Sequence, residues 1–581
     1  MLRDKLIFAC DFETSYENGN SWVWSFGYSK LGQEKVTLGN NINQFMDFAL
    51  SGNSKKLYFH NLKYDGKFIM YWLFKNGYKQ VKEIKGKKQF TALIDDMGMF
   101  YSIVVPYKYG NRNKKATFLD SLKLFPNSLR QLAKNYNLDT QKGELDYEKI
   151  RYENHLITNE ERIYLEKDVI ILRKLLEIAQ ENDMKKMTIA SNAIDYFKTQ
   201  LISKFNVSFD YIFPTLNETQ FDYLQKGYKG GCSMVNKKYR NQITPTNSYD
   251  VNSMYPYILH DKPMPFGYPV FFKGKYENNE TFPLYVQRIK CEFYLKNGFP
   301  PTIQVKNTYG FLGNEWVENS NQIIELTLTN VDLDIFLKHY DVYHLEYLDG
   351  YMFASSCNIF SSYIDHWYTI KSTSKNPSEI AIAKLYLNSL YGKFGAKPRK
   401  NSIILGLDPM QIMHTTETFV SNCKTVYIPV AMFVTAYARA YLLENIAKVF
   451  DDFLYCDTDS IHLRKKTEVL PIDNKKLGYF KFEYSGTARY IKQKTYIVKY
   501  DKEFIKIDED GNEITTKICC AGLNQDFIKN KGLEIGLEDF VEGATFPKLR
   551  SCNVKGGVAL VECEHKITPA KYTSHTNLSA I

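Results

Sequence analysis

YCDTDSIHL, residues 455–463, decides how this chain is read. Asp457 and Asp459 stand two apart among apolar and aromatic neighbours, so the stretch reads as a hairpin that presents carboxylates at its tip. Working outward, DVNSMYP at 250–256 supplies Asp250 at the end of another strand, with Ser253, Tyr255 and Pro256 behind it. The whole of SYDVNSMYPYIL, 248–259, reads as strand-like. Two strands then converge three acids on one site. In KLYLNSLYGKFG, 384–395, Lys384, Asn388 and Tyr391 follow helical spacing and share a face with Ser389 and Gly392 close by. An ammonium on that face suits a triphosphate, and a ring suits a base or sugar.

Far upstream lies a second set of acids. Asp11 and Glu13 in DFET sit two apart on a strand, so both carboxylates point to one side. Asn61 and Asp65 in HNLKYDGKF are four apart, as are Tyr164 and Asp168 in YLEKD, and each pair shares a helical face. Together Asp11, Glu13, Asp65 and Asp168 offer enough carboxylate oxygen for two hard cations such as Mg²⁺. Two cations a few ångströms apart suit phosphodiester cleavage. The ordered set D-x-E, N-x-x-x-D, Y-x-x-x-D resembles the three motifs of DnaQ-like 3′–5′ exonucleases.

Length and composition agree with a large enzyme. The 581 residues predict about four folding units, which excludes a single small binding module. Apolar residues at 44% and charged residues at 24% fit a globular chain. A net charge of +10 favours a polyanionic partner only mildly, while 44 Tyr and 38 Phe supply many faces for base stacking. Ten cysteines without a C-x-x-C pair suggest buried thiols, such as Cys10, Cys232 and Cys456, in a reducing cytosol. The amino-terminal apolar run is charged too soon for a signal peptide, and no later stretch is long enough for a bilayer span.

Taken together, the later motifs resemble the A, B and C motifs of family B DNA polymerases, with Met254 replacing a leucine in the first. YKGG at 228–231, TAYAR at 435–439 and KTY at 494–496, together with the exonuclease motifs, narrow the resemblance to the protein-primed polymerases of φ29-like bacteriophages, and the match runs from the first motif near residue 10 to VKGGVALVE at 554–562. It covers nearly the whole chain. It implies an α/β and α+β multidomain fold, an RNase H-like (DnaQ-like) exonuclease domain followed by a right-hand polymerase with two insertions. The expected division is exonuclease 1–189, palm 190–260 and 425–524, first insertion 261–358, fingers 359–395, second insertion 396–424 and thumb 525–581. Within the second insertion, GAKPRKNSIILG reads as a basic hairpin, a feature that is usually solvated.

The resemblance also implies roles. Asp250 and Asp459 would hold the polymerase cations with the Val251 carbonyl, and Asp457 would lie close by. Lys371 and Lys384 would bind triphosphate, with Asn388 on the same face; Tyr255 would obstruct a ribose 2′-hydroxyl and Tyr391 would meet the nascent pair. Tyr228, Gly230, Gly231, Thr435 and Arg439 would face template, with Ser253, Ser389 and Gly392 also at DNA, and Lys494 and Tyr496 at the primer end. In the exonuclease, His60, Asn61, Tyr64, Phe68, Ser121 and Leu122 would grip single-stranded primer, and Tyr164 and Lys142, the latter in KGEL, would be catalytic residues. The expected cofactors are two Mg²⁺ per active site, with Mn²⁺ as a substitute. The expected partners are template and primer DNA, dNTPs and a terminal protein, in the cytoplasm of an infected bacterium. Alternatives are a family B polymerase that starts only from a nucleic-acid primer, and a non-catalytic DNA-binding scaffold.

Overall fold

The computed structural model describes residues 6–569 apart from 144, 147–148, 312–313, 423–425, 508–510, 525–526 and 529–531. An eight-stranded sheet opens the chain, with Leu6–Glu17 and Lys55–Phe59 side by side at its centre and parallel. Arg112–Asp120 continues the sheet, also parallel to Lys55–Phe59. Parallel neighbours need a crossover, and the helix Leu62–Lys75 follows the Lys55–Phe59 strand. The helix Asn159–Glu181 packs on the Leu6–Glu17 strand and begins at a capping box, in which Thr158 and Glu161 satisfy each other's backbone. Its buried stripe runs through Tyr164, Leu165, Asp168, Val169, Leu172 and Leu176, the i, i+4 pattern the sequence displays.

A second sheet has seven strands, all antiparallel to their neighbours. Ile243–Val251 lies near its middle, beside the Phe453–Asp457/Ser460–Leu463 hairpin on one side and Phe480–Lys492 on the other. Behind it runs the helix Ile428–Lys448, buried along most of its length. Pro429 begins that helix instead of breaking it, because a first-turn N–H has no intrahelical partner to lose. No helix among the described residues is long and apolar enough to cross a membrane.

Three local expectations change. Residues 248–259 are not one strand: the strand ends at Val251, Ser253 turns with φ of +53°, and a helix runs Met254–Asp261. Likewise IIELTLTNVDLDIFL, 323–337, which in the sequence reads as part of a run of short strands and turns, divides into the strand Ile324–Thr329 and the helix Asn330–His339, because Thr329 caps the helix by accepting from the Asp332 N–H at 3.1 Å. The basic hairpin, Arg399–Leu407 with Met413–Asn422, is not simply solvated. Its Ile403, Leu405 and Met413 join the core of the first domain. Gln80 fixes it there, donating to the Ile403 carbonyl at 3.1 Å and accepting from the Leu405 N–H at 2.8 Å.

The last described hairpin, Thr545–Val554 with Gly557–Lys566, returns to the first domain at its tip. The Ser21 N–H donates to the Lys555 carbonyl at 2.8 Å. Gly556 has φ of +96°, and a Cβ there would stand 1.7 Å from the Ser21 carbonyl oxygen, so only glycine closes this contact. Asn553 in turn donates to the Met413 carbonyl at 2.8 Å, joining both hairpins. The first domain, the Arg399–Asn422 hairpin and this last hairpin thus touch in a closed ring.

Candidate functional site: two carboxylate centres

The first centre sits at the middle of the eight-stranded sheet. Carboxylate oxygens of Asp11, Glu13 and Asp168 all lie within 4.8 Å of one another. A register shift between Glu13 and Thr14 marks a bulge, a device that re-aims side chains beside active sites. Loss of water and the Asp168 charge push the Asp11 carboxyl up to about 7. Glu13 is raised by burial first and by Asp11 and Asp168 next, and Asp65 by burial and then Asp11. One cation already leans in: Lys142 Nζ donates to Asp168 Oδ2 at 2.7 Å and lies 5.7 Å over the Tyr164 ring. Asp168 Oδ1 is buried without a hydrogen-bond partner among the described residues. Repelling carboxylates with an unfilled oxygen fit a hard divalent cation.

Around this centre opens a cleft of about 2380 Å³ whose lining includes His60, Asn61, Tyr64, Leu122 and Lys142. Tyr64 OH and Thr14 Oγ1 are 2.9 Å apart, which aims the phenol along the cleft wall. Two expected strand-gripping residues do not reach it. Phe68 is 1% exposed and packs against Gly557, and Ser121 is fully buried, with its hydroxyl between the Phe59 carbonyl at 3.0 Å and His60 Nδ1 at 2.9 Å.

The second centre is built differently. Asp250 pairs across the ladder with Ser460, which brings it beside the tip of the 453–463 hairpin. That tip is a three-residue γ-turn, in which the Asp459 N–H reaches the Asp457 carbonyl at 2.6 Å around Thr458 with φ of +60°. A β-branched residue in this region is strained, and strain of this kind persists where the surroundings over-determine it. Here the Thr458 N–H donates to the Cys232 carbonyl at 2.6 Å and the Val251 N–H to the Asp459 carbonyl at 2.8 Å. Burial and then the Asp459 charge raise Asp250 to about 7, while burial and then Asp457 raise Asp459 to about 6. Asp457 itself faces Lys494, whose Nζ donates to both of its oxygens at 3.0 and 2.8 Å.

Facing these acids, Lys371 Nζ donates to Ser253 Oγ at 2.7 Å, and burial followed by the Lys384 charge lowers its pKa. Lys384, Asn388 and Gly392 are exposed on the side of the Pro377–Phe394 helix opposite its buried Ile382, Ala383, Tyr386, Leu387 and Leu390. Tyr391 meets Tyr255 with ring centroids 4.0 Å apart. Gly231 lets both this pair and the hairpin tip come close, since a Cβ there would be 3.0 Å from Tyr255 Oη and 3.2 Å from the Thr458 side chain.

With both centres described, comparison with known proteins gives one answer. The family model for DNA polymerase type B, organellar and viral, matches residues 48–162 and 151–476. The DNA polymerase of Bacillus phage Nf is 37% identical over 573 residues, covering 96% of this chain and 98% of its own. The chain belongs to the family B DNA polymerases of φ29-like phages. The DNA polymerase of Bacillus phage phi29 is 35% identical over 96% of this chain, and that of Streptococcus phage Cp-1 is 33% identical over 97%. Among solved structures, phi29 DNA polymerase complexed with primer-template DNA and incoming nucleotide substrates superposes with a TM-score of 0.89, at 34% identity and 97% coverage. This chain is therefore a DNA polymerase with an exonuclease-type domain joined to a right-hand polymerase.

Three residues expected at the DNA lie inside the polymerase instead. Thr435 is 1% exposed and turns its hydroxyl back to the Ala431 and Met432 carbonyls of its own helix. Arg439 is consumed by partners: it donates to the Lys229 and Gly230 carbonyls at 2.8 and 2.7 Å and grips the Asp332 carboxylate at 2.8 Å. It braces the YKGG segment against the Asn330–His339 helix, so its action on template would be indirect. Tyr496 is buried in a ring cluster with Tyr455, Tyr490 and His462. Sequence reasoning also missed Glu483, which adds to the repulsion on Asp250 and pairs with Lys481 at 2.8 Å, and Asp120, treated below. Glu483 had no signal; its neighbour relation to Asp250 exists only across the sheet.

Proposed function

We propose that the polymerase works through these two centres separately, adding dNTPs at Asp250 and Asp459 and removing misplaced 3′ nucleotides at Asp11, Glu13, Asp65 and Asp168. The observation that carries this is the pair of carboxylate groups on different sheets, each with raised pKa values and each facing lysine. Asp250 and Asp459 at one centre, and Asp11, Glu13, Asp65 and Asp168 at the other, would hold divalent cations such as Mg²⁺, whose chemistry would be to acidify the attacking hydroxyl or water and to neutralise the leaving oxygen. In synthesis, Lys371 and Lys384 add charge where the triphosphate's negative charge develops, and Tyr255 with Tyr391 supports the incoming sugar and base. In degradation, Asn61, Tyr64 and Leu122 hold the strand, and Lys142 keeps Asp168 oriented. The working division assigns 1–189 to the exonuclease, 190–260 and 425–524 to the palm, 261–358 and 396–424 to the two insertions, 359–395 to the fingers and 525–581 to the thumb.

Initiation from a hydroxyl of a terminal protein and processive strand displacement in an infected cell extend this reading. The first is supported by the φ29-like motifs and by the 261–358 segment, which has its own core around Ile289, Phe293, Phe336 and Tyr340. The second is supported by the ring of contacts through Gln80, Met413, Asn553 and Lys555. The test of initiation is incubation with a co-encoded protein, linear template and labelled dNTP: a covalent nucleotide adduct on that protein is expected. Initiation only from an oligonucleotide would overturn this part.

A further inference from the structure

Between the 60–65 and 121–122 segments of the cleft stands a carboxylate that the two centres do not use. Asp120 is 1% exposed. Its Oδ1 accepts from three backbone N–H groups, Asn61 at 3.0 Å, Leu62 at 3.2 Å and Leu122 at 3.0 Å. Its Oδ2 has no hydrogen bond among the described residues, and Lys123 Nζ lies 3.8 Å away. A carboxylate so buried is costly, so three N–H groups on one oxygen indicate a specific task.

The task is visible at the start of the Leu62–Lys75 helix. Asn61 occupies the N-cap position, where asparagine ordinarily caps with its own side chain. Here it has φ of +75°, makes no side-chain cap bond, and stays exposed on the cleft wall. Asp120 caps the helix from another strand, which leaves the Asn61 amide available to the cleft. The same oxygen holds Leu122, a second wall residue, and His60 adds a parallel tie through Ser121 at 2.9 Å and the Asn127 carbonyl at 2.7 Å.

We infer that Asp120 is a positioning residue for strand degradation, its one oxygen locking the 60–65 and 121–122 segments in register so that Asn61 and Leu122 meet the same strand. This rests on the reading of Asp11, Glu13 and Asp168 as the degradative centre. The test is steady-state degradation of a single-stranded oligonucleotide by Asp120→Ala and Asp120→Asn, with nucleotide incorporation and Tm measured alongside. Asp120→Ala is expected to raise KM about tenfold or more and lower kcat by much less. Asp120→Asn keeps an acceptor oxygen and is expected to stay within about threefold of the parent, with incorporation unchanged in both. An unchanged KM in Asp120→Ala overturns the inference, and so does a parallel loss of degradation, incorporation and Tm in both variants. Should Asp120→Ala not fold, Asp120→Ser carries the same test, since its shorter side chain cannot reach all three N–H groups; an unchanged KM there overturns the inference equally. Degradation that survives Asp11→Ala with Glu13→Ala would instead overturn the underlying reading of the centre.

Discussion

The two carboxylate centres solve one chemical problem in opposite ways. At the first, three acids from a bulged strand and a long helix converge until their oxygens lie within 4.8 Å, and Lys142 offsets part of their repulsion. At the second, Asp250 and Asp459 approach from a strand and a strained hairpin tip, and the third acid, Asp457, is turned toward Lys494. In the proposed function the first, a pre-assembled nest, takes a phosphodiester already bonded to the strand. The second leaves a pair of acids with the third held by a lysine, an arrangement that in the proposed function meets a substrate bringing its own triphosphate charge. The difference predicts that the two activities fail independently.

The largest effect should come from the pair Asp250 and Asp459. Asp250→Ala or Asp459→Ala should lower nucleotide incorporation by about a thousandfold or more while degradation of single strands persists, because the neighbouring Asp457 and Glu483 are each already paired with a lysine. Primer extension checks this, and incorporation within tenfold of the parent would break the comparison. Next, Asp11→Ala combined with Glu13→Ala should remove 3′–5′ degradation to a similar extent and leave extension of a matched primer within about threefold. Smaller is the effect of Lys142→Ala, expected to slow degradation about 10–100-fold through loss of the ammonium on Asp168, with incorporation unchanged.

Smaller still is a shift in stability with pH. Asp11, Asp250 and Asp459 have folded-state values of about 7, 7 and 6, above the ordinary carboxylate range. A carboxyl raised in the folded state contributes stability that is whole below about pH 4 and is lost as pH rises through the folded values. Cation-free protein should therefore lose stability between about pH 4 and 7, and Mg²⁺ should restore it by about 2–4 °C in Tm at pH 8 and by less at pH 5.5. Differential scanning calorimetry decides this; an equal Mg²⁺ effect at both pH values would contradict the assigned repulsion.

Much of this arrangement was legible in the residues, for physical reasons that also explain the gaps. Paired acids at strand period, and Lys384, Asn388 and Tyr391 at helical period, announce shared faces, and the structure keeps those faces open. What local spacing does not carry is a partner far away in the chain. Asp120 looks like an ordinary strand-end acid until Asn61 is beside it. Arg439 reads as a template contact only through the resemblance of TAYAR, whereas in the structure Asp332 claims it. The hairpin at 399–422 reads as solvated because its charges are local and its apolar partners, with Gln80, belong to another domain. The strand read through 248–259 failed at Ser253, where a positive φ reverses the backbone with no glycine to signal it.

The most direct test of two separate centres is complementation on one primer. A primer–template with a mismatched 3′ end is incubated with dNTPs and Mg²⁺ and with Asp459→Ala, with Asp11→Ala/Glu13→Ala, or with both variants together. The account predicts that Asp459→Ala alone shortens the primer, that the double variant alone extends the mismatch poorly, and that the mixture trims and then extends to full length. A mixture that does no better than its components, or an Asp459→Ala variant that extends by itself, would contradict it.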